Sequence, residues 1–504
     1  MSQWNLYSSH HSSRRGFLQV LAGAMGTLTP LLKSTPAGAQ QVSSGQASAY
    51  EPASGDITMA LAGDAMMTRA LMPFREERFL KVKELLHQAD VRFANSEMLF
   101  HNYENWPTAS TYYSRTYMRC DPRLIKDLGW FGINMVSCAN NHTGDFGQEG
   151  VLTNIRNLDE AGMVHAGSGG NYAEALAPAY METSKGRVAL LAATSSSKPD
   201  SRAGDQRRDM KGRPGANLVR WINEWTVDKE AYGALSRIAN QFGWQKQDPN
   251  ANKIFFRDYG IDGAESVNAI YLADRNTLAV NVEDPGARFL LGESFQRHTR
   301  INQSDLQRNV QSVNDARRMA EWVIYSVHNH EGSKSIEEPS DHIRQLAHAV
   351  IDAGADVFIG HGPHRIRGIE IYKGRPIFYS VGNLIVENDT VLLEPEDGLV
   401  VQGLGQDNTP ADSYDERLTS GEHETSGPGW IAFIPMVQFQ IRKLHEIKLY
   451  PIEMGAGLPR YIAGRPMLSE GKQALDLLQN LRRLSEPFHT NIEIEGELGI
   501  IRVS

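Results

Sequence analysis

The sequence predicts an α/β fold, and three observations carry that expectation. Short apolar, β-branched segments alternate with amphipathic helical segments at the rhythm of crossover-connected strands. Some of these segments are apolar throughout, Arg187 to Thr194 being the clearest, as in strands covered on both faces. Most of them also break abruptly into Asp, Glu, Asn, His or Gly, at the end where α/β proteins gather their chemistry.

The elements follow in order. Ile57 to Ala62 reads as the first strand, ending in Gly63-Asp64. Phe79, Val82, Leu85 and Leu86 give Glu76 to Gln88 a helical apolar face. Asp90 to Ala94 is the second strand, ending in Asn95-Ser96-Glu97. Phe100 to Arg119 is aromatic and polar, a loop that either walls a site or packs on the core. Asp121 caps a helix reaching Leu128, with Pro122 at its first position. Ile133 to Ala139 is the third strand and ends in Asn140-Asn141-His142-Thr143-Gly144-Asp145. A helix Gly150 to Ala161, a short strand near Val164 and the strand Arg187 to Thr194 come next.

From Ser195 to about Arg318 the chain turns rich in Arg, Asp, Asn, Gln and Gly. It reads as an insertion, about 196–320, that covers the site. Inside it lie Trp221 to Trp225, Ile254 to Phe256, Ala269 to Leu272 and a helix from Gln303 to Glu321. The core resumes at Trp322 to Val327, ending in His328-Asn329-His330-Glu331. A helix Asp341 to Ala353 leads to the strand Asp356 to Ile359 and the loop Gly360-His361-Gly362-Pro363-His364. Gly368 to Tyr372 and Pro376 to Val381 form a hairpin about Lys373-Gly374-Arg375, whose glycine can take positive φ. A second polar insertion, 387–429, precedes a hairpin (Ile431 to Ile441, Glu446 to Glu453) and a last helix, Leu475 to Leu484.

The chain has 504 residues and a net charge of −9 with both signs mixed, so it carries no nucleic-acid footprint. Ser13-Arg14-Arg15-Gly16-Phe17-Leu18, a weakly apolar run to Leu32 and Ala37-Gly38-Ala39 resemble a twin-arginine export signal, residues 1–39. The run is too short and too broken by glycine to span a membrane. A Gln/Ser/Gly/Ala-rich linker, 40–55, follows. The expected location is therefore periplasmic or extracellular, with no membrane helix in the mature chain. Cys120 and Cys138 are the only cysteines, too few for a zinc ribbon, and sequence leaves open whether they are bridged.

Six strand ends deliver Asp64, Glu97, Asn140-Asn141-His142 with Asp145, His328 with His330 and Glu331, His361 with His364, and Asn383. Each has an ordinary explanation alone, as a cap, a core histidine or a turn residue. Together, hard oxygens and neutral imidazoles without thiolate suit a divalent ion such as Mn, Fe or Zn at a catalytic site. Donors spread over many strands suit two ions, which can clamp both oxygens of a phosphoryl transfer.

Gly63-Asp64, Asn95-x-Glu97, Ala139-Asn140-Asn141-His142 with Asp145 and Gly147, Gly360-His361-Gly362-Pro363-His364 and Tyr379-Ser380-Val381-Gly382-Asn383 resemble the poly-γ-glutamate capsule synthesis protein family. That family is itself similar to calcineurin-like metallophosphatases. The resemblance covers about 56–195, 320–386 and the C-terminal hairpin and helix, and extends to Gly212-Arg213-Pro214-Gly215-Ala216-Asn217. It implies a metallophosphoesterase-like sandwich of two mixed β-sheets flanked by helices, with a core over 56–386 completed by 430–504. It also implies Asp64 and His364 on one metal, Glu97 bridging, and Asn141, His328 and His361 on the other. His142 becomes the acid that protonates the leaving oxygen, steered by Asp145.

The chain departs from the pattern in two places. His328-Asn329-His330-Glu331 stands where His-Trp-Gly-x-Glu is expected, and Asp64 is followed by Ala65-Met66 rather than by the Asp-x-His of metallophosphatases. His330, Glu331 and Asn383 are further candidates, with His330 a replacement for the missing imidazole. Arg69, Arg213 and Arg220 are weaker candidates for gripping an anionic substrate, beside ordinary surface roles. The implied activity is phosphoester hydrolysis on an anionic small molecule or polymer in capsule or envelope biosynthesis. The alternatives are a non-catalytic accessory factor for synthesis, export or anchoring of an anionic polymer such as poly-γ-glutamate, or hydrolysis of an amide or γ-glutamyl bond by the same metals.

Overall fold

Two mixed sheets stack on one another and carry helices on their outer faces. The computed structural model describes residues 55–110, 116–241, 269–272, 287–400, 402–419 and 427–503, and the statements below concern these. The expected signal peptide, nearly all of the linker, Ile254 to Phe256 and residues 111–115 of the aromatic loop lie outside them.

The larger sheet is built about Ile57–Met66. On one side it continues in parallel through Val91–Ser96, Met135–Ser137 and Val164–Ala166. On the other it continues antiparallel through the hairpin Ile431–Gln440 and Lys443–Glu453, to Leu498–Arg502 and Glu493–Glu495. Asn383–Val386 pairs in parallel with the far end of Ile57–Met66. The smaller sheet runs Ile369–Tyr372, Arg375–Phe378, Val357–His361, Trp322–His328, Gly186–Thr194, Ala179–Thr183, parallel in the middle and antiparallel at both edges.

Strand alternation assigns each face. Met59, Leu61, Phe93 and Met135 of the larger sheet share one apolar layer with Leu190, Ile324, Val357 and Ile359 of the smaller. Ala60, Ala62 and Ala94 face outward, under Phe79, Val82 and Leu86 of the helix Glu77–Leu86 and Leu128 and Phe131 of Ile125–Phe131. Ala189, Leu191, Val323 and Tyr325 face the helices Gln303–Met319 and Asp341–Asp352. Each fully buried Leu, Ile or Phe contributes about 2 kcal/mol relative to exposure. Both sheets are thus covered on two faces, which is why their central strands read as unbroken apolar runs.

The mixed α/β architecture matches the expectation, with local differences. Ile57–Met66 continues past Ala62, so Asp64 lies within the strand beside a register shift and not at its end. Asp121 caps a short 3-10 turn, Pro122–Leu124, which runs on into the helix. Lys373 and Gly374 take φ of 51° and 74°, the left-handed pair that a tight hairpin requires. The first insertion carries a four-stranded sheet, Ala269–Leu272, Ala287–Leu291, Trp221–Val227 and Gln296–Ile301. Its Gln296–Ile301 strand leaves no clear trace in a sequence so rich in Arg, His and Gln. Among the described residues both cysteines are free and buried, and no helix is long and apolar enough to cross a membrane.

One glycine is indispensable to the strand that holds Asp64. A Cβ on Gly63 would stand 1.7 Å from the Gly382 carbonyl oxygen. The Asp64 N–H donates to that same oxygen at 3.2 Å. Gly63→Ala is therefore expected to cost more than about 3 kcal/mol in urea unfolding, through a clash that only backbone movement relieves. Gly129, in the helix Ile125–Phe131 with nothing within 4 Å of its would-be Cβ, is the contrast. Gly129→Ala is expected to add about 0.5–1 kcal/mol.

Candidate metal centre

Parallel registers bring the donors together. Asp64 pairs laterally with Asn95 and with Asn383 in the larger sheet. His328 pairs with His361 in the smaller. Glu97 follows the strand Val91–Ser96 and is held by its N–H to the Ala65 carbonyl at 3.1 Å. The loop after Val357–His361 turns at Gly362, whose φ of 114° suits glycine and whose Cβ would meet the Asn329 amide at 2.8 Å. The Gly362 N–H donates to Asp64 Oδ2 at 2.8 Å, tying the two sheets together at the cluster.

Three overlapping groups result, each with donor atoms within 4.8 Å of one another: Asp64, His328 and His361; Glu97, His328 and His330; and Asp64, Glu97 and His364. Asp64 Oδ1 is 3.1 Å from His361 Nδ1 and 3.5 Å from His328 Nδ1. Asp64 Oδ2 is 3.4 Å from His364 Nδ1. Glu97 Oε1 is 3.7 Å from His328 Nε2, and 3.8 Å from both His364 Nε2 and His142 Nε2. His328 Nε2 lies 3.0 Å from His330 Nε2.

The electrostatics are uneven. Burial alone would raise the Asp64 carboxyl, but hydrogen bonds with His328, His361 and His364 hold it well below the usual range. Glu97 is pushed well above the usual range by burial and by the charge of Asp64. Burial lowers His328 to about 4 and, together with the neighbouring imidazoles, lowers His330. Both rings therefore stay neutral at physiological pH. Glu97 is 0% exposed, and neither of its oxygens accepts a hydrogen bond. Asn141 Oδ1 is likewise buried and unbonded. A buried carboxylate without donors is costly unless a cation is provided for, so the set fits a divalent metal.

The other expected site residues are placed as follows. His142 Nδ1 is 2.6 Å from Asp145 Oδ2. Asp145 Oδ1 accepts from the buried Lys198 ammonium at 2.6 Å, and Oδ2 from the Met118 N–H at 2.7 Å. His330 reaches the cluster, whereas Glu331 turns away to accept from Ser195 Oγ at 2.6 Å and Ser196 Oγ at 2.5 Å. Asn383 lies behind the ligands, its Oδ1 2.8 Å from His364 Nδ1. Arg69 pairs with Glu387, Arg220 forks onto Asp305 and Arg213 donates to the Arg202 carbonyl.

Two contributors went unassigned from sequence. Asn95 Nδ2 donates to Asp64 Oδ1 at 2.8 Å, and Lys198 braces Asp145. Asn95 carried a signal, its position in Asn95-x-Glu97. Lys198 carried only its place just beyond the strand Gly186–Thr194.

Fold and site together define a class: a two-sheet α/β protein whose strand ends assemble carboxylates and imidazoles able to hold metal ions. The chain belongs to the family described as bacterial capsule synthesis protein PGA_cap, which matches residues 58–388. It is 34% identical over 461 residues to the uncharacterized protein y4uA of Sinorhizobium fredii, covering 89% of this chain and 93% of that one. The PGA biosynthesis protein CapA of Bacillus subtilis is 43% identical over 75 residues, 15% of this chain and 19% of its own. The capsule biosynthesis protein CapA of Bacillus anthracis is 22% identical over 363 residues, 70% of this chain and 65% of its own.

Glu331 offers a test of how the cluster is braced. Burial would raise its carboxyl, but bonds from His342, Ser195 and Ser196 outweigh this and hold it at about 2, against 4.5 unperturbed. Its contribution is present above the unfolded value and is lost as pH falls toward 2. Glu331→Gln is expected to lower stability at pH 7 by about 2 kcal/mol. Thermal melts should show the gap to wild type closing between pH 4.5 and 2.

Proposed function

We propose that this protein is an exported metal-dependent phosphoesterase of metallophosphoesterase-like fold, acting in the biosynthesis of capsule or another envelope polymer. Export follows from the twin-arginine pattern of residues 1–39. The observation that carries the enzymatic reading is Glu97, fully buried, unbonded on both oxygens and ringed by imidazole nitrogens of His142, His328 and His364 at 3.7–3.8 Å.

In this reading Asp64 and His364 would hold one ion and Asn141, His328 and His361 the other, with Glu97 available to either and His330 in place of the missing imidazole. Bound there, two divalent ions would polarise a phosphoryl oxygen and lower the pKa of a water. The chain's own groups handle the leaving proton. Asp145 holds His142 Nδ1–H, which aims Nε2 at the cluster. Lys198 and the Met118 amide fix both oxygens of Asp145, so the imidazole keeps one orientation. His142 then gives its Nε2 proton to the leaving oxygen.

A second reading, an accessory factor that binds an anionic polymer without turning it over, draws on the names of the relatives, which speak of biosynthesis and not of hydrolysis.

One experiment separates the two. Protein matured with its metals is assayed for metal content and for p-nitrophenyl phosphate turnover. The enzymatic reading expects up to two divalent ions per chain, lost in Asp64→Asn and His361→Ala. It also expects His142→Ala to retain metal while kcat falls about 100- to 1,000-fold. Metal-free, inert wild-type protein that co-purifies with polymer synthase components would establish the accessory role.

A further inference from the structure

The motif Gly212 to Asn217 lies outside the donor cluster, and its packing shows what it builds. The Gly204 N–H donates to the Arg213 carbonyl at 2.9 Å and the Ala203 N–H to the Ala216 carbonyl at 3.0 Å, which holds the two segments side by side. A Cβ on Gly215 would stand 2.3 Å from the Ser201 carbonyl oxygen, and one on Gly212 2.6 Å from the Gly204 carbonyl oxygen. Glycine permits that approach. Arg213 Nε donates to the Arg202 carbonyl at 2.8 Å, and the Tyr172 N–H to the Gly204 carbonyl at 3.0 Å. The motif thereby sets Arg202 against Tyr172, its guanidinium carbon 5.7 Å from the ring centre.

The surroundings of Tyr172 are basic. Arg308, on the helix Gln303–Met319, lies 4.9 Å from the same ring, and Arg220 adds a third positive charge. Two acids, Asp305 and Asp205, stand against these three cations. Asp305 is already taken. Arg220 Nε and Nη2 fork onto it at 2.7 and 2.8 Å, and the Arg220 N–H adds a bond at 3.0 Å. Arg202 reaches Asp305 only at 3.9 Å. Asp205 pairs with Arg308 at 3.0 Å, but its side chain is 59% exposed, so this is a screened surface pair that a ligand can displace.

Two donors are left over. Arg202 Nε is buried and, among the described residues, has no acceptor. Tyr172 is 2% exposed, and its hydroxyl is buried without a partner among the described residues. Burial first, then Asp305, pushes that hydroxyl up to about 12 against the pull of the three guanidiniums, so it keeps its proton and can donate. Buried donors without acceptors are unfavourable, and these lie in an excess of positive charge. Arg202 and Arg308 leave 26% and 42% of their side chains exposed, so the place opens to solvent. A cation is repelled there, and a neutral hydroxyl leaves Arg202 uncompensated. An oxyanion supplies both the acceptor atoms and the negative charge, and a guanidinium fork matches carboxylate and phosphate alike. We infer that Tyr172, Arg202 and Arg308 form a binding site for one oxyanion group, a carboxylate or a phosphate, apart from the metal centre. Arg213 and Arg220 are its supports, one holding the Arg202 backbone and the other occupying Asp305. This goes beyond the phosphoesterase reading and does not depend on it.

The test is calorimetric titration of the full chain, stripped of metal with EDTA and desalted, with inorganic phosphate and with glutarate. At least one of the two should bind saturably, as a single equivalent. Tighter phosphate identifies a phosphorylated ligand and tighter glutarate a carboxylate one, and either supports the site. Tyr172→Phe removes only the hydroxyl. It should weaken binding about fivefold while the melting temperature stays level or rises, since no bond within the protein is lost. Arg202→Met keeps the apolar stem and should weaken binding about tenfold or more. Arg207→Gln removes an exposed charge from the same loop, one paired with Asp209, and should leave binding unchanged. Saturable binding of neither probe overturns the inference. So does binding that Tyr172→Phe leaves intact, or that Arg207→Gln weakens as much as Arg202→Met, the mark of a diffuse basic patch. Should Arg202→Met fail to fold, Tyr172→Phe decides alone. Because metal is removed first, failure of the metal-centre reading leaves this result interpretable.

Discussion

Lateral pairing of parallel strands is the constraint on which the centre rests. Parallel strands end at the same edge, so side chains at their carboxyl ends become neighbours. His328 stands beside His361 for this reason, whereas Asp64, within its strand, is set beside Asn95 and beside Asn383, the first residue of Asn383–Val386, by the parallel register on either side. The two sheets then meet where the Gly362 amide donates to Asp64 across the shared apolar layer. Gly63, pressed on Gly382, sets how closely Asn383–Val386 approaches the central strand. A shift of one residue in either register would turn these donors into the core and apolar side chains into the cluster.

That arrangement creates an electrostatic problem which the protein leaves unsolved by its own groups. Two fully buried carboxylates share the site. Asp64 is well supplied, with Asn95 Nδ2 and the Gly362 amide as donors, and stays ionised. Glu97 has no donor and is driven toward its protonated form. Burial keeps His328 and His330 neutral, so they present lone pairs in place of positive charge. Stability alone would favour paired or apolar groups at such a place. Burial works against a charge on His364, but Glu97 and Asp64 raise it to about 10, so among the described residues it is the one positive group beside the two acids. Retaining both acids beside the neutral His328 and His330 makes sense if further cations complete the set.

The inserted segments brace this centre. Lys198 begins the first insertion and holds Asp145. Trp221 stacks on His342, with ring centroids 4.7 Å apart, and His342 faces Glu331, which orders the loop after Trp322–His328. From the second insertion Glu387 receives the amides of Thr68 and Arg69, just beyond Ile57–Met66. Glu394 accepts from the Tyr117 amide, its carboxyl pushed to about 8 by burial. Both insertions thus grip the strands that carry the donors, and a polar composition is what such gripping requires.

Much of this was legible in the chain itself. Unbroken apolar runs announce strands covered on both faces, helical spacing announces Glu77–Leu86 and Asp341–Asp352, and Lys373-Gly374 announces its hairpin, because each depends on near neighbours in sequence. The residue types at the strand ends also announced a metal-suited donor set. Which donors meet was not legible, since it depends on contacts between positions hundreds of residues apart. His330 and Glu331 are adjacent in sequence, yet one faces the cluster and the other the Ser195–Ser196 hydroxyls. Asn383 backs His364, and Lys198 reaches Asp145 across 53 residues. Local chemistry determined what the chain has to offer, and long-range packing decided which offers share a point in space.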